Sequence, residues 1–416
     1  MRRAAAAIAV LVCLTAPTPR ASAQAPPVDE IRGLWVLRTS LTSPDRIRAL
    51  VRSARDHGFN TLLVQVRARG DAYYSATIEP RAAELSRQDD SFDPLATVLR
   101  AAHAAGLRVH AWINVNFVSS AADLPSARQH IVHRHPEWLM VPRDLAQELA
   151  KVDSESPGYV GRLARWTRTQ AGDIEGLYAS PLLPGAVAHI VSVVRELAQR
   201  YAVDGVHFDY ARYPSDRFDY SRQAIREFRL VVAPQLAAPE RARLDREERI
   251  DPFAYPDALP EDWRHFRISR MTALMRRLRE TVKHERAGAV VTVAAAPERQ
   301  DALDRRLQDW GGWLANGLVD AVCPMAYTPE PAEFAEQIAA ARSAAGERAV
   351  WAGIGAYRLS PTQTVANIRT ARRLGATGVV LFSYDSMTNP RQSAPDYLAL
   401  VARGAFRAET ADAGSR

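Results

Sequence analysis

The chain has 416 residues, with 54 Lys and Arg against 47 Asp and Glu, a formal net charge of +7 and two cysteines. Lysine occurs only at Lys151 and Lys283 and the arginines are spread along the sequence, so no basic block argues for nucleic acid as a partner. Two cysteines exclude a disulfide-built scaffold, and a chain of this length must rest on a hydrophobic core.

At the N-terminus, Arg2 and Arg3 precede an apolar run over residues 4–14, and Ala21-Ser22-Ala23 offers the small residues a signal peptidase requires. This spacing predicts a signal peptide over residues 1–23, cleaved near Ala23, and a periplasmic or secreted protein. The run is too short for a retained membrane helix, so no transmembrane segment is expected in the mature chain. Val12 before Cys13 is not the small residue a lipoprotein needs, which argues against lipidation. Removal takes away Arg2, Arg3, Arg20 and no acids, which lowers the charge from +7 to +4 and leaves Cys323 without a partner.

A single barrel domain is expected over residues 24–405, in which short apolar runs alternate with helical stretches from residue 31 onward. Strands are expected over 31–37, 61–66, 108–113, 206–208, 290–295, 321–322, 350–354 and 378–382. Ser43-Pro44-Asp45 supplies a cap, a first-turn proline and a first-turn acid for the helix that follows the first of them, and Gly58 ends it. Further helices are expected over 93–103, 184–201, 262–283, 301–316, 331–345, 360–373 and 396–402. Strands that are apolar throughout are those of a parallel sheet covered on both faces. Eight strand–helix units predict an α/β fold, a (β/α)8 TIM barrel. No glycine-rich dinucleotide or phosphate loop follows the first strand, and no cofactor is expected. Two connections, 116–183 and 213–261, are too long for turns and are expected to wall the cleft at the carboxyl ends of the strands. A polar tail over 406–416 is expected to be disordered.

In such a barrel the residues ending each strand face one pocket. The sequence places there Gln65, Arg67, Arg69 and Asp71; His110, Trp112, Asn114 and Asn116; His207, Asp209, Arg212 and Tyr213; Glu298; Met325 and Tyr327; and Tyr384 and Asp385. Acids, arginines and amides with aromatic faces suit a ligand rich in hydroxyls, a polysaccharide above all. Glycoside cleavage needs two carboxylates, one to protonate the leaving oxygen and one to attack or to activate water. Asp209 is the principal candidate and Glu298 the second, with Asp71 and Asp385 as alternatives. Period two places His207 in phase with Asp209, as a support for it. A sugar-stacking tryptophan is expected from the first long connection, which holds Trp138 and Trp166. His130, His133 and His135 lack an accompanying carboxylate or cysteine at ligand spacing, so no metal is expected.

Several segments, RGLWV from Arg32, NTLLVQVRARGDAYY from Asn60, VHAWINVN from Val109, HPEWLM from His135, VDGVHFDYARYP from Val203, DWGGWLANGLVDAVCPMAY from Asp309, AGIGAYR from Ala352 and GVVLFSYDSM from Gly378, resemble in their order the bacterial glycosyl-hydrolase-like 10 family. The resemblance implies a barrel acting on glycans, peptidoglycan strands foremost, with Asp209 as its strand-end acid and Arg67, Asp71, Asn114, Tyr213 and Tyr327 lining the pocket. Many members carry a second acid directly after that position, where this chain has Tyr210. Residues 204–211 are also similar to the chitinase signature DGxDxDxE, but His207 and Ala211 replace two of its acids, including the catalytic glutamate. The expected activity is therefore hydrolysis of glycosidic bonds in a cell-wall or extracellular polysaccharide, against the alternative of a glycan-binding barrel without catalysis.

Overall fold

The computed structural model describes residues 30–406; the expected signal peptide and the tail beyond Phe406 lie outside the described residues. Ten strands form in chain order: β1 Ile31–Val36, β2 Thr61–Arg67, β3 Arg108–Asn114, β4 Phe117–Ser120, β5 Gly176–Tyr178, β6 Gly205–Asp209, β7 Val290–Ala295, β8 Ala321–Ala326, β9 Ala349–Ile354 and β10 Gly378–Phe382. Eight of them close a parallel barrel in the order β1-β2-β3-β6-β7-β8-β9-β10, with β10 pairing back onto β1. The remaining two, β4 and β5, make an antiparallel hairpin inside the first long connection.

Inward and outward residues alternate along each strand, and both kinds are apolar because helices cover the outside and side chains fill the inside. The inward set includes Trp35, Leu63, Trp112, Cys323, Trp351 and Val380, which form a cluster of their own. Bulky rings fit because neighbouring strands yield space. A Cβ on Gly205 would stand 2.5 Å from the His110 ring, and one on Gly353 would stand 2.9 Å from the Trp35 indole. Buried His207 joins three strands: its Nε2 accepts from Trp35 Nε1 at 3.0 Å, which leaves Nδ1 to donate to Thr292 Oγ1 at 2.8 Å.

The helices start and stop as the sequence directs. Ser43 caps Pro44–Asp56 by accepting from the Arg46 N–H at 3.3 Å, and Gly58 follows with a φ of +76°. The single helix expected over 301–316 is instead two, Arg299–Arg305 and Trp310–Ala315. Gln308 interrupts it by turning inward: its amide accepts from the Ala296 N–H and donates to the Ala294 and Ala211 carbonyls, and Asp309 then caps the second helix.

The two long connections fold around two apolar clusters, each holding a residue or two from the other connection. The first packs β4 and β5 with the helices Arg143–Leu149 and Pro157–Thr169. In the second, the helix Arg222–Val232 lays Phe228 against Trp263 and Phe266 of the helix Pro260–Glu285. Both had been expected to wall the cleft. The second supplies none of the residues lining it, because its apolar face is used on that helix.

One ion pair ties the barrel to its surroundings. Arg67, at the end of β2, meets Glu79 through two bonds of 2.8 and 2.6 Å, with both side chains 1% exposed. Glu79 also accepts from His189 of the helix Pro184–Arg200, and Arg67 donates to the Asn114 carbonyl of β3. Burial would raise the Glu79 pKa, but Arg67 and His189 outweigh it and hold it down to about 2. Because this folded value lies below the ordinary one, the pair's contribution is complete above pH ~4.5 and is lost as pH falls towards ~2. Glu79→Ala, which strands a buried guanidinium, is expected to cost about 3–5 kcal/mol at neutral pH in denaturant titrations. The deficit should shrink in the same titrations at pH ~3.

Candidate active site

The carboxyl ends of the strands open into a cavity of about 620 Å³. Its aromatic floor follows from inward parity, since Trp35 and Phe382 are the inward residues nearest the carboxyl ends of β1 and β10, and Trp112 lies on the inward row of β3 just below Asn114. Tyr327, just past β8, stacks on Phe382 with ring centres 5.4 Å apart and stands edge-on to Trp35 at 6.2 Å. Tyr357 stands edge-on to both Tyr327 and Phe382. An apolar surface of ring faces and edges receives the C–H face of a sugar.

Asp209 ends β6 on the cavity wall, 6% exposed. Its Oδ1 accepts from the Tyr210 N–H at 2.6 Å and from Arg212 Nη1 at 3.0 Å, while Oδ2 carries no hydrogen bond from the described residues. Tyr210 takes a φ of +51°, which turns its ring away from the strand to stack on Phe117 at 4.8 Å. Arg212 also lies over that ring, 4.1 Å from its centre. Burial disfavours the Arg212 charge, but Asp209 and the surrounding phenols outweigh it and push its pKa above the ordinary arginine value.

Nine of the sequence-predicted residues gather here: Asp209, Glu298, Gln65, Arg69, Trp112, Asn114, Arg212, Met325 and Tyr327. Glu298 is exposed beyond β7, the strand next to β6, just before the helix Arg299–Arg305, and accepts from Gln337 at 2.6 Å. Asn114 is oriented by Trp112 Nε1 donating to its Oδ1 at 3.0 Å and by its own bond to the Ala68 carbonyl.

The others do not line the cavity. Arg67 is used in its pair with Glu79. His110 and His207 fill the barrel below, next to Trp351 and Trp35. Asn116 bonds the Ala179 carbonyl, and buried Tyr213 donates to the Arg267 carbonyl at 3.4 Å. Asp385 secures the end of β1, accepting from the Leu37 N–H and the Thr39 and Ser40 hydroxyls, and Tyr384 is buried beside it. Asp71 lies in a neighbouring cavity. Trp138 stacks on His135 and Trp166 packs against Phe218, so the expected platform is replaced by the strand tryptophans. His130 and His133 bond the Arg69 and Pro125 carbonyls.

Two cavity carboxylates escaped the sequence. Glu175 comes from the first insertion and accepts from Tyr178 OH at 2.6 Å; Asp301 sits in the helix after β7. Asp301 lies in the first turn of the helix that Glu298 precedes, and both line the cavity.

Fold and site together define a glycoside hydrolase-type barrel. The glycoside hydrolase domain of PgaB (BpsB) from Bordetella bronchiseptica superposes with a TM-score of 0.62 at 18% identity, over 91% of this chain and all of that one. Alpha-L-fucosidase isoenzyme 2 from Paenibacillus thiaminolyticus gives 0.56 at 16%, over 90% of this chain and 48% of its own. These likenesses are of fold.

The chain belongs to the glycosyl hydrolase-like 10 family, whose profile matches residues 30–368. It is 25% identical over 372 residues to glycosyl hydrolase DigH of Escherichia coli (strain K12), covering 78% of this chain and 74% of that protein. To glycosyl hydrolase YngK of Bacillus subtilis (strain 168) it is 23% identical over 290 residues, or 65% of this chain and 46% of that one.

The histidine beneath the floor makes one measurable demand. Burial lowers the His110 pKa to about 4, so the unfolded chain binds its proton first as pH falls. Its contribution to stability is complete above pH ~6.5 and gone near pH ~4, a loss on the order of 3 kcal/mol. In thermal melts across that window His110→Leu is expected to show a shallower fall than the parent chain.

Proposed function

We propose that the protein hydrolyses glycosidic bonds of a cell-wall or extracellular polysaccharide, with a peptidoglycan-type glycan as the leading substrate. One observation carries this reading: Asp209, with Oδ2 free of hydrogen bonds from the described residues, stands at a strand end beside an aromatic floor, in a cavity whose walls hold further carboxylates. Asp209 acts as the carboxylate that attacks or that activates water, and Glu298 as the proton donor to the leaving oxygen. Arg212 fixes Asp209, while Tyr327 and Asn114 orient the ring. The run over residues 1–23 supports a periplasmic or secreted destination, where such a polymer would be met. No described helix is long and apolar enough to cross a membrane.

The Asp209–Arg212 ion pair favours a second reading, in which the acid is structural and the barrel binds glycan without cleaving it. Glycan strands and a panel of polysaccharides separate the two. New reducing ends that fall on the order of 10²–10⁴-fold in Asp209→Asn support hydrolysis. Saturable binding with no product on prolonged incubation establishes the binding protein instead. Glu298→Gln is expected to slow cleavage by a comparable factor; an unchanged rate would transfer the acid role to Glu175 or Asp301. Proton NMR of the newly released anomeric centre would distinguish retention from inversion.

A further inference from the structure

Beside the candidate site lies a second cavity of about 630 Å³, between the β2 connection and the first insertion. The two differ in chemistry. The site cavity is floored by aromatic rings, whereas the second is lined by arginines, carboxylates, serines and prolines and has no aromatic side chain except the His130 imidazole. A space without a stacking surface suits an extended polar group better than a sugar ring.

Arg69 lines both cavities. Its backbone is firmly held: the N–H donates to Asp71 Oδ1 at 2.9 Å, and the carbonyl accepts from His130 Nε2 at 2.7 Å. Gly70 follows with a φ of +73°, and a Cβ there would stand 2.9 Å from His130 Nε2. Asp71 thus serves the backbone and does not pair with the guanidinium. The Arg69 guanidinium forms no hydrogen bond or ion pair with any described residue. Arg81 of the second cavity donates to the Phe92 and Asp89 carbonyls, and Arg38 pairs with Glu84 at 3.4 Å, whereas Arg87 is exposed on the second cavity alone and does not reach the site. A fixed mount carrying an unused fork at the junction of two cavities is the arrangement that grips a planar carboxylate through two parallel bonds.

We propose that the second cavity receives an acyclic, carboxylate-bearing substituent of the sugar held over the aromatic floor, and that the Arg69 guanidinium binds its carboxylate. A lactyl ether and an amide-linked peptide both present this group, and both have the length to leave the ring and enter the neighbouring space. The inference rests on the glycan reading above and names the substrate as an anionic, substituted glycan. Arg69 acts in binding and selectivity, not in bond cleavage.

Binding is measured by calorimetry on the Asp209→Asn chain, which separates it from hydrolysis. Three probes are used: glycan strands with free lactyl carboxylates, the same strands with those carboxyls reduced to alcohols, and strands carrying peptide stems. Carboxyl reduction is expected to weaken binding about 10–100-fold, the worth of one charged bidentate contact. Adding Arg69→Gln should lower affinity for the carboxylate strands by a similar factor and leave affinity for the reduced strands unchanged, with Arg69→Lys between. Tighter binding of stem-bearing strands than of lactyl strands would identify the peptide as the occupant; the reverse would identify the lactyl group. Equal affinity for lactyl and reduced strands, equal loss in Arg69→Gln on both, or binding to none of the strands overturns the proposal. Thermal melts of Arg69→Gln confirm that it folds. If the parent chain cleaves glycan while affinity ignores the carboxylate, the carboxylate site alone fails. If affinity follows the carboxylate but no strand is cleaved, hydrolysis alone fails.

Discussion

The structure depends on a packing constraint inside the barrel: eight short parallel strands must fill their shared interior with side chains of fixed parity. Trp35, Trp112, Trp351, His110 and His207 meet that demand, and Gly205 and Gly353 give way so that they can. Once this layer is set, the positions above it follow. Asp209 is two residues beyond His207 on β6, Asn114 two beyond Trp112 on β3, and Met325 two beyond Cys323 on β8. The aromatic floor and the acid on its wall are the top of the core, so the site inherits its rigidity from the same rings that stabilise the fold.

His207 shows how the interior limits the chemistry. Trp35 donates to one nitrogen and Thr292 accepts from the other, while burial and the nearby His110 hold its pKa far below the ordinary value. A ring so enclosed stays neutral and exchanges no proton with a substrate. The carboxylates on the cavity walls arise from different elements: Asp209 from β6, Glu298 and Asp301 after β7, and Glu175 from the insertion.

Much of this was legible in the sequence. Eight apolar runs punctuated by caps and glycines gave the barrel, and VDGVHFDYARYP marked the strand that delivers Asp209. Strands that are apolar on both faces conceal which residues point inward, so Trp35 and Phe382 were not separable from the outer core. Arg67, Asp71 and Asp385 are charged residues beside strand ends, and sequence cannot tell a side chain aimed at substrate from one satisfied by Glu79, by a backbone N–H or by the end of β1. Glu175 depends on the β4–β5 hairpin, whose pairing spans more than fifty residues and leaves no local signal.

The closure of the barrel also sets when the protein can exist. β1 begins at Ile31 and its partner β10 at Gly378, so the seam joins the two ends of the described chain. A polypeptide still lacking β10 presents β1 and β9 as open sheet edges, able to pair with other chains. Contacts of such long sequence range form late and slowly. The barrel becomes a closed, edge-free object only when its last strand arrives, and every shorter version is exposed to aggregation.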